Sequence, residues 1–487
     1  MTGGLRGVTP PGAQGDRTAP GTDRRFALLG LAVVLFIGNF AAFYPGLLDN
    51  DALNQYREAR NGQFTDWHPP IMSVVWSWFI AIREGPQTML ALQLALHWLG
   101  FWAVADGLWL QGRRRSAWIV LAAGFFPMFP VFNREVLKDV HMASAFIAAF
   151  GLVYRDRIAH GRARMGVLGC ALVLAIYGVL VRANAVFAFG PLLVYLTATA
   201  GRMRWLAAVI ASTVICVLAI PVSSTVNRQV IGAADTGAML SLQIFDLAGI
   251  ARHAADPAPF REATGLDLAA VQRCHTVYWW DEFSAWGSCA SAFAHARALV
   301  GPDGRSRVGA VWLAAIAAHP LAWAEHRLRH FNSSVYFLVP AKHFRYAQPR
   351  SSPSADPAVP TTPRLIATNL VAMNFILWPM TWLVAGGMAL MLLSGAPRDE
   401  GGAWASRMLI VSGLFYSLAY AVIGVATGMR YHYWSEMAIL VALMVSAPAL
   451  AKRIARFDFL AVASLAMIAA VILFGTLFRV ADWRFLL

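Results

Sequence analysis

Charge is scarce in this sequence. Asp, Glu, Lys and Arg make up 14% of 487 residues against 58% hydrophobic ones, and the mean hydropathy is +0.55. So few charges cannot cover a soluble globule of this length, and the composition points to a polytopic membrane protein. Cysteine is rare too, at four residues with no Cys-x-x-Cys among them, which removes zinc ribbons and dithiol redox motifs. Also missing are a Gly-rich phosphate loop ending in Lys-Ser or Lys-Thr, a His-Glu-x-x-His helix and a serine-nucleophile elbow. P-loop, zincin and α/β-hydrolase chemistries go with them.

Acids are the scarcer sign, 26 against 40 Lys and Arg, for a net charge of +14. On one continuous face that excess would suit nucleic acid. Instead it falls in short clusters between apolar runs: Arg24-Arg25, Arg113 to Arg115, Arg155 to Arg164, Arg202 to Arg204 and Lys452 to Arg456. Such clusters orient membrane helices by the positive-inside rule, and they imply no nucleic-acid partner. With all of them in the cytoplasm, the apolar runs predict an all-α chain of about eleven spans. These lie near 26–46, 88–110, 117–132, 138–154, 166–181, 186–200, 205–222, 366–394, 407–427, 435–450 and 457–478. The N-terminus is then inside and the C-terminus outside.

Four regions result. Residues 1–25, rich in Gly, Pro and Thr, read as a disordered cytoplasmic tail without a cleavable signal peptide. Residues 26–222 form an N-terminal membrane module, with a first external loop at 47–87. Residues 223–365 are a small, mostly helical extracytoplasmic domain, and 366–487 carry the C-terminal spans. Cys274 and Cys289 fall in the external domain, 15 residues apart, and either form a disulfide there or remain two small unpaired side chains. Val311 to Phe331 reads as one interfacial helix with a basic edge, whose Arg327 and Arg329 could meet lipid head groups. Gln348 to Pro363, rich in Pro and Ser, reads as a flexible loop.

The first external loop concentrates the chemistry. Asp49-Asn50 suits a helix start, and Asp51, Asn54 and Gln55 come next at i, i+3 and i+4 on one face, ahead of a stop at Asn61-Gly62. Then comes Asp66-Trp67-His68-Pro69-Pro70. Residues 70–82 are apolar but only 13 long, so they read as a second juxtamembrane helix. Three other outward turns carry ionisable groups against the positive-inside bias: Asn133 to Asp139 with Lys138 and Asp139, Arg182-Ala183-Asn184, and Arg430-Tyr431-His432-Tyr433. Lys138 and Asp139 could pair with each other, and His432 could be one more interface aromatic. For Arg182 and Arg430, anion binding is the stronger reading. His326 and His330 share a helix face, yet no third metal ligand is adjacent in sequence.

The acid after the first span, Asp51 to Gln55 in the order Asp-x-x-x-Gln, the His68-Pro69-Pro70 corner, Lys138-Asp139, Arg182-Ala183-Asn184 and Arg430 to Tyr433 together resemble bacterial polytopic glycosyltransferases of the GT-C superfamily. The nearest in kind are branches beside the protein O-mannosyltransferases and the lipid A aminoarabinose transferases. Relatives often have two adjacent acids where this chain has Asp49 and Asp51 separated by Asn50, so the choice of base stays open. The resemblance implies transfer of a sugar from a polyprenyl-phosphate donor to a glycan, lipid or protein acceptor of the cell envelope. Asp51 or Asp49 would be the base; Lys138, Arg182, Arg430 and His68 would meet the lipid phosphate; Asn54, Gln55 and Asp66 would orient hydroxyls. The resemblance fixes no cofactor and leaves a divalent cation open. The alternatives are a transporter or flippase of a lipid-linked or anionic solute, and a lipid-linked glycan polymerase or ligase.

Overall fold

A computed structural model of the chain describes residues 22–198, 203–301, 306–346, 371–395, 402–457 and 459–486. The expected flexible loop from Gln348 to Pro363, and the tail as far as residue 21, lie outside the described residues. Helix begins at Thr22, so Arg24 and Arg25 belong to its first turns rather than to a tail. Among the described residues there is no β-strand, only isolated bridges such as Leu47 with Glu135 and Thr65 with Ala234.

Two helices, Gln87–Leu110 and Lys138–His160, form the centre. Small residues let them touch: a Cβ added to Gly151 would stand 2.7 Å from the Gly100 carbonyl, and one added to Gly100 would strike Ile147. The helices Met165–Val181, Ala403–Ile423 and Tyr433–Val445 pack around this pair.

By length and hydropathy, five helices among the described residues can cross a membrane: Phe26–Phe43, Gln87–Leu110, Trp205–Val230, Ala403–Ile423 and Phe459–Val480. Counting two bent pairs as single spans raises the number to seven, below the eleven expected from apolar runs. The shortfall has local causes. The run expected at 117–132 is broken into Arg114–Ala123 and Met128–Asn133, because Gly124 ends the first helix and Pro127 opens the second. Met165–Val181, Ile71–Ile80 and Pro379–Ser394 are apolar but shorter, at 17, 10 and 16 residues. Burial divides the long helices: 67% of the apolar window in Gln87–Leu110 is buried, against 17% in Phe26–Phe43 and 22% in Phe459–Val480. The outer helices therefore show wide apolar faces, a surface that water does not favour and lipid does.

The helix Lys138–His160 also sorts charge. Its 23 residues span about 33 Å, with Lys138 at one end and Arg155 and Arg157 near the other. At that second end Arg157 caps the Tyr195 and Leu196 carbonyls, and Arg113 reaches the Met444 and Val445 carbonyls. Arg113, Arg155 and Arg157 thus gather at one end of the bundle and Lys138, with its partner Asp51, lies at the other.

A second core lies in 239–334, built from Ile244, Phe245, Phe260, Val271, Trp280 and Phe283 and closed by a Cys274–Cys289 disulfide. Trp67 of the first loop packs into it against Trp280, Trp286 and Phe293, at ring centroid distances of 5.5 to 6.0 Å. The expected single helix from Val311 to Phe331 is instead two, Arg307–Ala318 and Pro320–Ser334, bent by 101° where Pro320 starts the second. Its basic edge is divided, with Arg329 part-exposed beside Glu325 and Arg327 turned inward. Arg327 is buried and ion-paired with Asp246, and His326 and His330 are wholly buried beside Phe245.

Candidate functional site

Asp49 caps the helix Asn50–Asn61, its Oδ1 accepting from the Ala52 amide at 2.8 Å, and this places Asp51 in the first turn. Gly62, left-handed at φ +68°, ends the helix. Glu58 ties that helix to the segment beyond it, accepting from the Thr65 hydroxyl at 2.5 Å and the Ser73 hydroxyl at 2.9 Å. Between those two partners lies the His68-Pro69-Pro70 corner. It is fixed as a platform.

On this platform Asp51 is the hub. Its Oδ2 accepts from Lys138 Nζ at 3.0 Å and from Arg430 Nη2 at 2.9 Å. The His68 ring stands 3.6 Å from its other oxygen through Nε2. Burial alone would raise the Asp51 pKa, but the Lys138 and Arg430 charges outweigh it and hold the carboxyl well below the ordinary range. Burial, reinforced by Lys138, pushes His68 down to about 3, so the ring is neutral. Nδ1 of His68 therefore accepts from Lys138 Nζ, at 2.7 Å, and Nε2 carries the hydrogen on the Asp51 side.

Arg430 spans both acids, one nitrogen on Asp49 and the other on Asp51. Behind it Asp139 meets Arg182 at 2.7 Å, a charge contact rather than an aligned hydrogen bond, and Arg182 donates to the Tyr420 hydroxyl at 2.8 Å. The Tyr431 ring lies between the two guanidiniums, 5.1 Å from Arg182 and 5.3 Å from Arg430, and stacks on Tyr420. Three carboxylates thus face three cations. Exposure ranks them: the Asp51 side chain is 30% exposed and Arg430 22%, while Arg182 is 9% and Asp139 1%. Asp51 and Arg430 are the reachable pair, and Arg182 with Asp139 forms the support.

Other expected residues lie apart from this hub. Asp66 accepts from the Thr236 amide and hydroxyl and pairs with Arg228, stapling the first loop to the chain beyond the Trp205–Thr225 helix. His432 is turned inward, to the Ser417 and Ser334 hydroxyls. Gln55 is fully buried, with neither amide atom partnered among the described residues, and Asn184 is buried in its turn. Asn54 opens onto a cleft of about 350 Å³ that also has Arg57, Trp67, His68 and Trp286 in its wall. His68 separates this cleft from Asp51.

Glu135 is the residue that sequence reasoning passed over. It is 2% exposed, and its backbone bridges to Leu47, two residues before Asp49. Burial, with the Asp49 charge adding to it, pushes its pKa up to about 7. Its only sequence signal was an acid in a turn already full of charge.

A resident divalent cation does not fit this arrangement. Among the described residues no group of three or more His, Cys, Asp or Glu could hold a metal, and Asp49, Asp51 and Asp139 are each matched by a cation. Comparison of the chain with protein-family models, curated proteins and solved structures finds no match in any of the three.

Proposed function

We propose that the chain is a glycosyltransferase of the GT-C type, moving a sugar from a polyprenyl-phosphate donor to a cell-envelope acceptor with inversion. In this reading it is a multi-pass protein of a bacterial cytoplasmic membrane, N-terminus inside. The helices Lys138–His160, Met165–Val181, Ala183–Thr197 and Pro379–Ser394, with the broken run at 114–133 and the bent pair at 429–454, bring the five long spans to about eleven crossings. The basic clusters mark the cytoplasmic end and Asp51 the other, with 239–334 extracytoplasmic.

The observation that carries the reading is Asp51, partly exposed between Lys138 and Arg430 at the end of the bundle opposite Arg113, Arg155 and Arg157. A carboxylate takes the proton from an acceptor hydroxyl as its oxygen attacks the anomeric carbon. The bond from that carbon to the phosphate oxygen breaks, and its electron pair leaves with the lipid phosphate. Lys138 and Arg430 meet the charge that grows there. In the resting state both cations lean on Asp51 and make it a weak base. A donor phosphate sharing them would relieve that restraint, so donor binding readies the base. The cleft walled by Asn54, Trp67, His68 and Trp286 supplies aromatic faces and amides for further sugar of the donor or acceptor, on the far side of His68 from Asp51.

The experiment is reconstitution in liposomes with a polyprenyl-phosphate sugar. Release of free polyprenyl phosphate together with a newly glycosylated product supports transfer; movement of the intact donor across the bilayer without cleavage would replace it with transport.

A further inference from the structure

The second core holds a cavity of about 750 Å³, apart from the Asp51 hub. It opens between the C-terminal turns of the helices Met239–Ala254 and Leu268–Cys274 and the helix Pro320–Ser334. Its polar wall carries two guanidiniums, Arg252 and Arg329, and two imidazoles, His253 and His275, with Gln272 and Tyr278 beside them, and no Asp or Glu among its lining residues. Leu268 and Val271 give it an apolar floor.

The charges there are not all matched. Glu325, just outside the lining, sits 2.8 Å from Arg329 and 3.4 Å from His253. Arg252, exposed to solvent where it lines the cavity, has no ion-pair partner among the described residues, so its guanidinium is free to meet a ligand. His275 adds an orphan: 6% exposed, it faces His326 at 3.4 Å through Nε2, and its Nδ1 has no partner among the described residues. The Cys274–Cys289 disulfide next to it holds this wall in place.

A cavity of this size accommodates one or two sugar rings, and apolar side chains beside a tyrosine suit a sugar face. A guanidinium without an ion pair and an unpaired ring nitrogen suit an oxyanion with neighbouring hydroxyls. We propose that this cavity binds a saccharide carrying a carboxylate or a phosphate, with Arg252 as its principal charge contact. The site stands without the transfer reading, because it is defined by binding alone. The competing account of Arg252 is a helix C-terminal cation that stabilises the Met239–Ala254 helix through its dipole.

Titration of the purified full chain in detergent with digalacturonate, glucose 6-phosphate and neutral maltose, monitored by saturation-transfer NMR and calorimetry, tests this. Binding of either acidic probe, weakened about tenfold in Arg252→Gln and partly restored in Arg252→Lys, is expected, the loss being that of one charge-assisted contact. Which acidic probe binds more tightly identifies the oxyanion. The same affinity in Arg430→Gln is expected, since that residue belongs to the other site. Maltose binding as tightly as the acids, no binding of either acid, or affinity that falls in Arg430→Gln and not in Arg252→Gln would each overturn the assignment. A change in thermal stability of Arg252→Gln with unchanged affinity overturns it too, in favour of the helix-end role.

Discussion

Arg430 Nη2 meets Asp51 Oδ2 at 2.9 Å although 379 residues separate them in the chain. The contact joins the first loop to the turn between two late helices, so the hub exists only when both ends of the fold are in place. It also divides labour between the two acids. Asp49 spends one oxygen on its helix cap and the other on Arg430, whereas Asp51 keeps the more exposed carboxylate.

Asp51→Asn is therefore expected to abolish sugar transfer while leaving folding intact, since the amide keeps the size but cannot take a proton. Asp49→Asn keeps the cap, Asn being as good there as Asp, and should retain most turnover. Turnover per folded molecule in the two variants decides. Full activity in Asp51→Asn with loss in Asp49→Asn would make Asp49 the base.

Glu135 gives a pH signature. Its folded pKa, about 7, lies above the carboxylate value of 4.5 expected in the unfolded chain. The stability it contributes is thus complete below about pH 4.5 and is lost as pH rises through about 7. Glu135→Gln should flatten thermal stability between pH 5 and about 8 relative to the parent, with the gain on the alkaline side. A variant whose melting profile keeps the parent's alkaline decline would show that another group controls it.

The Gly100–Gly151 contact is a packing prediction. A methyl at Gly151 would stand 2.7 Å from a backbone carbonyl that cannot rotate away, so Gly151→Ala should cost about 1–3 kcal/mol or push the central helices apart. Gly169, with nothing within 4 Å of its added Cβ, is the control, and Gly169→Ala should be tolerated.

Apolar runs made the helical, membrane-embedded class legible, and the Asp-Asn start with Gly62 located the platform helix closely. Lys138 and Asp139 were candidates to pair with each other, yet neighbours on a helix point about 100° apart. Lys138 therefore goes to Asp51 and Asp139 to Arg182. The polar side of Pro320–Ser334 has the same pattern whether water or a second core faces it, so nothing local revealed that Arg327 is buried on Asp246. Asp66 likewise read as a hydroxyl-orienting residue beside His68, because its partner Thr236 comes 170 residues later.

The two arginines of the hub should now behave differently. Arg182 is buried against Asp139 and Tyr420, so Arg182→Gln strands a buried carboxylate and should cost about 3–5 kcal/mol of stability. Arg430 is more exposed, spans Asp49 and Asp51, and is placed to share a donor phosphate. Arg430→Gln is expected to raise the donor KM or lower kcat by one to two orders of magnitude, from about 1.5–3 kcal/mol per charge-assisted contact, with a smaller change in melting temperature. Arg430→Lys should restore only part of the activity, because one ammonium cannot bridge two carboxylates as the planar fork does. Donor dependence of turnover, measured with thermal stability in all three variants, separates the roles. Equal kinetic losses in Arg182→Gln and Arg430→Gln at unchanged stability would put both guanidiniums on the phosphate.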